Sequence, residues 1–223
     1  MNNNLTELVY ILDMSGSMSN LTKDTIGGYN SLLETQRKLN KENPELKANV
    51  TTVFFDDRYI VVHDRENLDN VNDITEKEYQ PLGMTAMLDA IGKTVVSVGQ
   101  KLAVTPEEER PGLVSVTIIT DGYENQSKEY TWESVRNMIK EQKEKYSWQF
   151  TFIGANIDVD KVTYDLGIDK AWTATYTPTT DGTYSVYNAV ATGTSILRSA
   201  CSTDSLDSTK TVTAYTTTLN SIH

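Results

Sequence analysis

Apolar residues recur along the chain in two alternating patterns, short continuous runs and stripes at helical spacing. The runs are rich in β-branched and aromatic residues and are bounded by polar residues, which is typical of buried strands. They cover residues 8–12, 50–55, 59–62, 113–120 and 148–154. This pattern predicts a sheet whose strands are mostly separated by other elements.

The stripes place apolar residues three or four positions apart, so that they share one face of a helix. They cover residues 22–39, 85–102, 132–146, 159–166 and 184–197. Strands that alternate with helices favour right-handed crossovers and a mostly parallel sheet with helices on both faces. Only residues 56–58 separate the second and third strands, which predicts a hairpin and therefore one antiparallel edge strand. A short edge strand is also expected at residues 170–173.

The composition of the chain changes near its end. From Cys201 onward Ser, Thr and Asp dominate, and such a segment cannot readily offset the entropy of ordering. We therefore expect one domain over residues 1–200, closed by the last helix, and a flexible tail over residues 201–223. The alternative for this tail is a strand that adds to a neighbouring sheet edge.

Charge and cysteine content exclude several classes of function. The 223 residues include 20 basic and 31 acidic ones, and the net charge of −11 repels phosphate backbones and anionic lipids. A single cysteine, Cys201, excludes an internal disulfide and a thiolate zinc site. The N-terminus lacks a signal-peptide pattern, and no apolar stretch approaches the roughly 20 residues that span a bilayer. We expect a cytoplasmic protein without nucleic acid binding or membrane insertion.

Oxygen-bearing side chains follow the first buried run. Asp13, Ser15 and Ser17 place one carboxylate and two hydroxyls on the loop after the first strand, and Gly16 allows this loop to curl. Ser and Asp in such a turn also cap backbone amides, so the motif alone has a purely structural interpretation.

Two further oxygen ligands occur in similar settings. Thr85 precedes an amphipathic helix, and Asp121 closes the most apolar run of the chain. Gly83 and Gly122 allow the backbone beside them to turn sharply. Ligands gather at the carboxyl ends of strands in open α/β sheets, so we expect the three segments to meet there. Oxygen donors without Cys or His favour Mg²⁺, with Mn²⁺ or Ca²⁺ as alternatives.

The charge of this ligand set suggests that the site recognises a partner protein. If Ser15, Ser17 and Thr85 contact the ion directly while Asp13 and Asp121 act through water, the ion keeps positive charge and an open position. Such an ion attracts an external carboxylate, and the sequence shows no general base beside it. The hypothesis is a receptor for an Asp or Glu side chain of a partner protein, and not an enzyme.

Other residues of these loops are candidates for contact with the partner. Glu124, Asn125 and Asn156 are expected on loops that rim the same face, although most exposed loop residues have no function. Met14 and Met18 flank the metal loop, where a flexible apolar side chain suits either a partner surface or packing beneath the loop.

The whole arrangement resembles the von Willebrand factor A (vWA) domain and its metal-ion-dependent adhesion site (MIDAS), in which Asp-x-Ser-x-Ser precedes a distant Thr and a distant Asp. The matching residues are Asp13, Ser15, Ser17, Thr85 and Asp121. The order of elements also matches, from about residue 6 to about residue 173. One departure is Met84, where the family commonly has a second glycine before the threonine.

The resemblance implies a Rossmann-like vWA fold and a Mg²⁺-dependent protein-interaction domain. In this family the two aspartates act mainly through water and the two serines coordinate directly. The threonine coordinates in the ligand-binding state. Small stand-alone cytosolic versions occur in bacteria and phages, and this chain is similar to those.

Two other functions stay open at the level of sequence. Haloacid-dehalogenase-type phosphatases also begin with a strand ending in Asp and hold Mg²⁺, and Thr120 with Asp56 and Asp57 fits them superficially. However, Ser15 stands where those enzymes usually carry a second Asp, and the acidic pair precedes the Thr-ended strand. The other possibility is a structural or assembly protein that acts through its C-terminal tail.

Overall fold

The computed structural model describes residues 1–222, and His223, the last residue of the expected tail, lies outside the described residues. The strands are β1 (Asn2–Asp13), β2 (Lys47–Phe55), β3 (Tyr59–Asn67), β4 (Pro111–Thr120), β5 (Gln149–Gly154) and β6 (Thr173–Thr175). The helices are α1 (Thr22–Glu42), α2 (Met87–Val104), α3 (Trp132–Tyr146), α4 (Val159–Leu166), α5 (Thr180–Ser202) and α6 (Thr209–Leu219). Within residues 1–222, every helix is too short or too polar to cross a membrane.

The strands form one six-stranded sheet in the order β3-β2-β1-β4-β5-β6. All neighbouring pairs are parallel except β2 and β3, which form the antiparallel hairpin at one edge. The predicted α/β fold class, a mostly parallel sheet with one antiparallel edge strand and helices on both faces, is confirmed.

Two cores lie on opposite faces of this sheet, because successive side chains of a strand point to opposite sides. Leu8, Tyr10 and Leu12 of β1 belong to the core under α1, α5 and α6. Val9 and Ile11 belong to the core under α2, α3 and α4. The continuous apolar run of β1 is thus explained by burial on both faces.

The direction of the crossovers changes between β1 and β4. After β1 the chain passes through α1 to β2 on one side, and after β3 it passes through α2 to β4 on the other side. The two strands lie side by side in register, with Leu12 paired to Ile119. Their carboxyl ends therefore form the switch point at which open α/β sheets bind ligands.

Residues 201–222 differ from the expected flexible tail, because α5 continues to Ser202 and α6 docks beside it. The buried Tyr215 hydroxyl lies 2.6 Å from Thr151 Oγ1 of β5, and either oxygen acts as the donor. Thr211 and Leu219 are buried on the same face of α6. Composition missed this helix because a few residues four positions apart are enough to dock one face of a short helix.

Candidate metal centre

The Asp13 carboxylate is held in one position at the end of β1. Its Oδ1 accepts a hydrogen bond from the Ser15 amide at 2.7 Å, and its Oδ2 accepts one from the Thr120 hydroxyl at 2.5 Å. The Tyr79 hydroxyl donates to the Asp13 carbonyl oxygen at 2.6 Å. Burial raises the pKa of Asp13 to about 6, although the hydrogen bonds from Thr120 and Ser15 to its carboxylate act in the opposite direction. A buried carboxylate of this kind is costly until a cation compensates its charge.

Side-chain oxygens connect the first loop to the end of β4. Ser15 Oγ lies 3.1 Å from Ser17 Oγ, and the Ser17 hydroxyl donates to Asp121 Oδ1 at 2.5 Å. Ser15 and Asp121 are buried, whereas Ser17 is exposed at the mouth of the site. Burial also raises the pKa of the Asp121 carboxyl above its ordinary value.

Thr85 faces the same point from the loop before α2. A Cβ built on Gly122 would lie 3.3 Å from Thr85 Oγ1 and 3.8 Å from Ser17 Oγ, so both hydroxyls border Gly122. Asn125 holds the threonine from both sides: its Oδ1 accepts from the Thr85 amide at 2.9 Å, and its own amide donates to the Thr85 carbonyl at 3.0 Å. A side chain at position 122 would therefore crowd the hydroxyl of a predicted ligand.

Backbone hydrogen bonds tie the Thr85 loop to the first loop. The Gly16 amide donates to the Gly83 carbonyl at 3.1 Å, and the Leu82 amide donates to the Met14 carbonyl at 2.9 Å. Gly83 has φ of +76°, and a Cβ there would lie 1.9 Å from Asp57 Oδ1. Position 83 requires glycine for both its conformation and its space.

The structure thus brings all five sequence-predicted donors to the switch point: Asp13, Ser15, Ser17, Thr85 and Asp121. Two carboxylates and three hydroxyls, without nitrogen or sulfur, suit a hard divalent cation. Within residues 1–222, no three His, Cys, Asp or Glu side chains are grouped to hold a metal.

The expected rim residues have different roles in the structure. Glu124 accepts hydrogen bonds from the Leu88 amide in the first turn of α2, at 2.9 Å, and from the Ser127 amide at 2.7 Å. Asn125 positions Thr85, as described above. Asn156 is exposed, with φ of +55°, in the loop after β5. Glu124 and Asn125 therefore organise the site, in addition to lying near its rim.

Met14 and Met18 do not offer a surface to a partner. They are only 1% and 2% exposed, and Met14 belongs to the core under α1 and α5. Its Sδ accepts a hydrogen bond from the Gln80 amide at 3.2 Å. The short 3₁₀ turn Gly16–Leu21 directs Met18 inward, so packing beneath the loop is correct and the rim assignment of both methionines is wrong.

Some residues that position the site were not recognised from the sequence as such. In the sequence, Thr120 fits only the pattern of a phosphatase, and Tyr79 lies in a segment without helical or strand periodicity. Asp89 accepts hydrogen bonds from the amides of Lys128, Glu129 and Tyr130, at 2.9 to 3.0 Å. Burial alone would raise the pKa of the Asp89 carboxyl, but the three amide donors bring that pKa below its ordinary value. Long-range partners of this kind have no signal in local spacing.

Comparison with known proteins gives a match in structure only. No protein-family model and no curated protein matches this sequence. Proximal thread matrix protein 1 of the mussel byssus, with a zinc-occupied MIDAS motif, aligns at 15% identity and a TM-score of 0.54 over 88% of this chain. A von Willebrand factor type A structure from Catenulispora acidiphila aligns at 12% identity and a TM-score of 0.52 over 90% of this chain. The manganese-loaded TRAP protein of Plasmodium vivax aligns at 16% identity and a TM-score of 0.54 over 79% of this chain.

These likenesses show that the chain has the vWA fold, as the sequence predicted. The alignments cover 46% of the mussel chain, 42% of the Catenulispora chain and 70% of the Plasmodium chain. This chain thus spans less than half the length of two of these proteins. At such low identity the comparison concerns the fold alone.

Proposed function

We propose that this chain is a Mg²⁺-dependent protein-interaction domain and not an enzyme. Asp13, Ser15, Ser17, Thr85 and Asp121 hold the ion, and the ion binds an Asp or Glu side chain of a partner protein. The observation that carries this proposal is the position of the Ser17 hydroxyl between Ser15 Oγ, at 3.1 Å, and Asp121 Oδ1, at 2.5 Å. The Ser17 hydroxyl thus connects oxygen ligands from the ends of two strands at an exposed point.

The hydrogen bonds of the Asp13 carboxylate support a bound ion whose positive charge is only partly neutralised. Both carboxylate oxygens of Asp13 already accept hydrogen bonds, from Ser15 and Thr120. Direct coordination then falls mainly to the neutral hydroxyls of Ser15, Ser17 and Thr85. An ion so held is incompletely neutralised and attracts an external carboxylate.

The oxygen-only donor set favours Mg²⁺, and Mn²⁺ or Ca²⁺ fits the same chemistry. Zinc in the mussel protein and manganese in the Plasmodium protein support a divalent ion in this fold. A cytoplasmic location and a small stand-alone bacterial or phage protein belong to the same proposal and rest on the sequence.

The contacts of Asp56 favour this function over a phosphatase. Its side chain is fully buried, and the Arg58 Nε lies 3.0 Å from both carboxylate oxygens. This acidic residue is therefore neutralised by its own hairpin. The docking of α6 through Tyr215 also speaks against a free tail as the main interaction element, because strand addition would require this helix to leave the core.

Metal titration and partner capture test the proposal. We expect Mg²⁺ to bind the EDTA-stripped protein in isothermal titration calorimetry. Host proteins captured from lysate in Mg²⁺ should be lost in EDTA and with Thr85→Ala. Thr105→Ala is the matched control, since Thr105 caps the other end of α2 and its hydroxyl donates to the Lys101 carbonyl, at 2.8 Å, far from the candidate site.

Two results would contradict the proposal. Proteins retained equally in Mg²⁺, in EDTA and by Thr85→Ala would exclude a metal-bridged partner. Hydrolysis of p-nitrophenyl phosphate that is abolished by Asp13→Asn would support the phosphatase.

A further inference from the structure

Large apolar side chains are exposed on the loops that build the candidate metal centre. Leu82, Met84 and Tyr123 are 66%, 47% and 53% exposed. Leu82 and Met84 flank Gly83 in the Thr85 loop, and Tyr123 follows Gly122. Exposing such side chains to water is unfavourable, so their concentration beside one site indicates a surface that becomes covered.

These three side chains are attached to backbone that the site itself holds in place. The Leu82 amide donates to the Met14 carbonyl at 2.9 Å. Met84 directly precedes Thr85, whose amide and carbonyl are both bonded to Asn125. An apolar surface on a fixed backbone contributes to binding with little loss of conformational entropy.

The ring of Tyr123 is held across the rim. Its hydroxyl accepts a hydrogen bond from the Asp158 amide at 2.9 Å, so the side chain connects the Asp121 loop to the start of α4. The polar end of the ring is thus satisfied, while more than half of the side chain stays exposed. A rigid aromatic surface of this kind is typical of contact residues in protein interfaces.

The charge of the chain limits which carboxylate-bearing partners fit. The net charge of −11 makes the chain as a whole repel an acidic segment, and the bound ion opposes this repulsion locally. Apolar neighbours of the bound carboxylate avoid this repulsion and cover Leu82, Met84 and Tyr123. A groove of about 320 Å³ beside Leu82, lined by Tyr79 and Pro81 and also by Arg58 and Glu76, offers room for one such neighbour.

We propose that Leu82, Met84 and Tyr123 form an apolar collar that selects partner segments in which the metal-binding Asp or Glu is flanked by apolar side chains. This inference rests on the proposed function and adds the chemical class of the partner. The metal supplies attraction for any accessible carboxylate, and the collar distinguishes between the sequences around it.

Three peptides with the same central aspartate test the collar: Gly-Leu-Asp-Leu-Gly, Gly-Gly-Asp-Gly-Gly and Gly-Glu-Asp-Glu-Gly, all with blocked termini. Their affinities are measured on Mn²⁺-loaded protein from the paramagnetic broadening of the peptide proton signals. We expect the leucine peptide to bind about 10-fold more tightly than the glycine peptide, from partial burial of its side chains. The glutamate peptide should bind more weakly than the glycine peptide.

The variant Leu82→Asn with Met84→Asn should reduce the affinity for the leucine peptide to that for the glycine peptide. Val104→Asn is the matched control, since Val104 is 85% exposed at the far end of α2, and it should keep the preference. Equal affinities of the native protein for all three peptides, or a preference that survives in the double variant, would overturn the collar alone. Failure of Mn²⁺ to bind would overturn the proposed function together with it.

Discussion

The Thr120 hydroxyl donates a 2.5 Å hydrogen bond to Asp13 Oδ2 and thereby joins the ends of β4 and β1. Thr120 Oγ1 also lies 3.2 Å from the Gly122 amide, which donates to it, so one hydroxyl orients both the carboxylate and the loop after β4. Thr120 is fully buried and does not reach the mouth of the site. It is therefore a positioning residue for the candidate metal centre.

Removing this hydroxyl should weaken metal binding. Thr120→Val keeps nearly the same shape but leaves Asp13 Oδ2 without its donor. Loss of such a supporting contact typically lowers metal affinity about 10- to 100-fold. Titration calorimetry with Mg²⁺ checks this, and Thr120→Ser, which keeps the hydroxyl, should restore most of the affinity. If Thr120→Val bound Mg²⁺ as tightly as the native protein, the hydrogen bond from Thr120 to Asp13 would not be needed for metal binding.

Mg²⁺ should stabilise the native protein, because the ion compensates the buried carboxylates of Asp13 and Asp121. At a concentration of 100 times Kd the gain in the free energy of unfolding is about 2.7 kcal/mol. Asp121→Asn should lose this gain. In EDTA it should be as stable as the native protein or more so, since it no longer buries that charge. Urea unfolding with Mg²⁺ and with EDTA measures both quantities, and an undiminished Mg²⁺ effect in Asp121→Asn would remove this residue from the site.

The packing of α6 on α5 depends on Gly193. A Cβ at this position would lie 2.7 Å from Cε2 of Tyr215, so Gly193→Ala should lower the free energy of unfolding by about 1 to 3 kcal/mol. Gly99→Ala is the control in α2, where a Cβ meets nothing within 4 Å. It should raise stability by up to about 1 kcal/mol. Thermal unfolding compares them, and effects of the same sign would mean that α6 does not pack as described.

His63 should make stability dependent on pH. Burial lowers its pKa in the folded protein, and its Nδ1 lies 3.0 Å from Thr52 Oγ1. The unfolded chain therefore binds a proton more readily, so the contribution of His63 to stability is fully present above its unfolded pKa of about 6.5. That contribution falls as the pH drops below this value and levels off below the folded pKa. The difference in unfolding free energy between the native protein and His63→Gln, measured from pH 8 to pH 5, should show this loss. A difference independent of pH would contradict it.

Much of the fold follows from local pattern. The predicted helix over residues 159–166 coincides with α4, and the predicted hairpin is the β2–β3 pair. Both have strong local signals, a repeat of apolar residues in the helix and a three-residue turn between β-branched runs in the hairpin. The α6 segment lacked such a signal, since most of its residues are threonines and only one face meets the core.

The metal centre was partly predictable for a related reason. Asp13, Ser15 and Ser17 carry a spacing that indicates their chemistry, and strand ends indicate where Thr85 and Asp121 belong. Glu124 and Asn125 could be placed on nearby loops, but their spacing does not reveal that they hold α2 and Thr85. Met14 and Met18 could not be assigned, because the 3₁₀ turn decides which side chains point inward.

By itself, the sequence determined the order of strands and helices as far as α5, the antiparallel edge and the oxygen donors of the candidate site, because periodicity and side-chain chemistry act locally. Only the tertiary structure decided that Thr120 orients Asp13, that Tyr215 docks α6 on the sheet, and that Leu82, Met84 and Tyr123 are exposed on the loops of one site. These relationships join segments that are distant in sequence. They arise from the packing of these segments against one another in the folded chain, which no local spacing records.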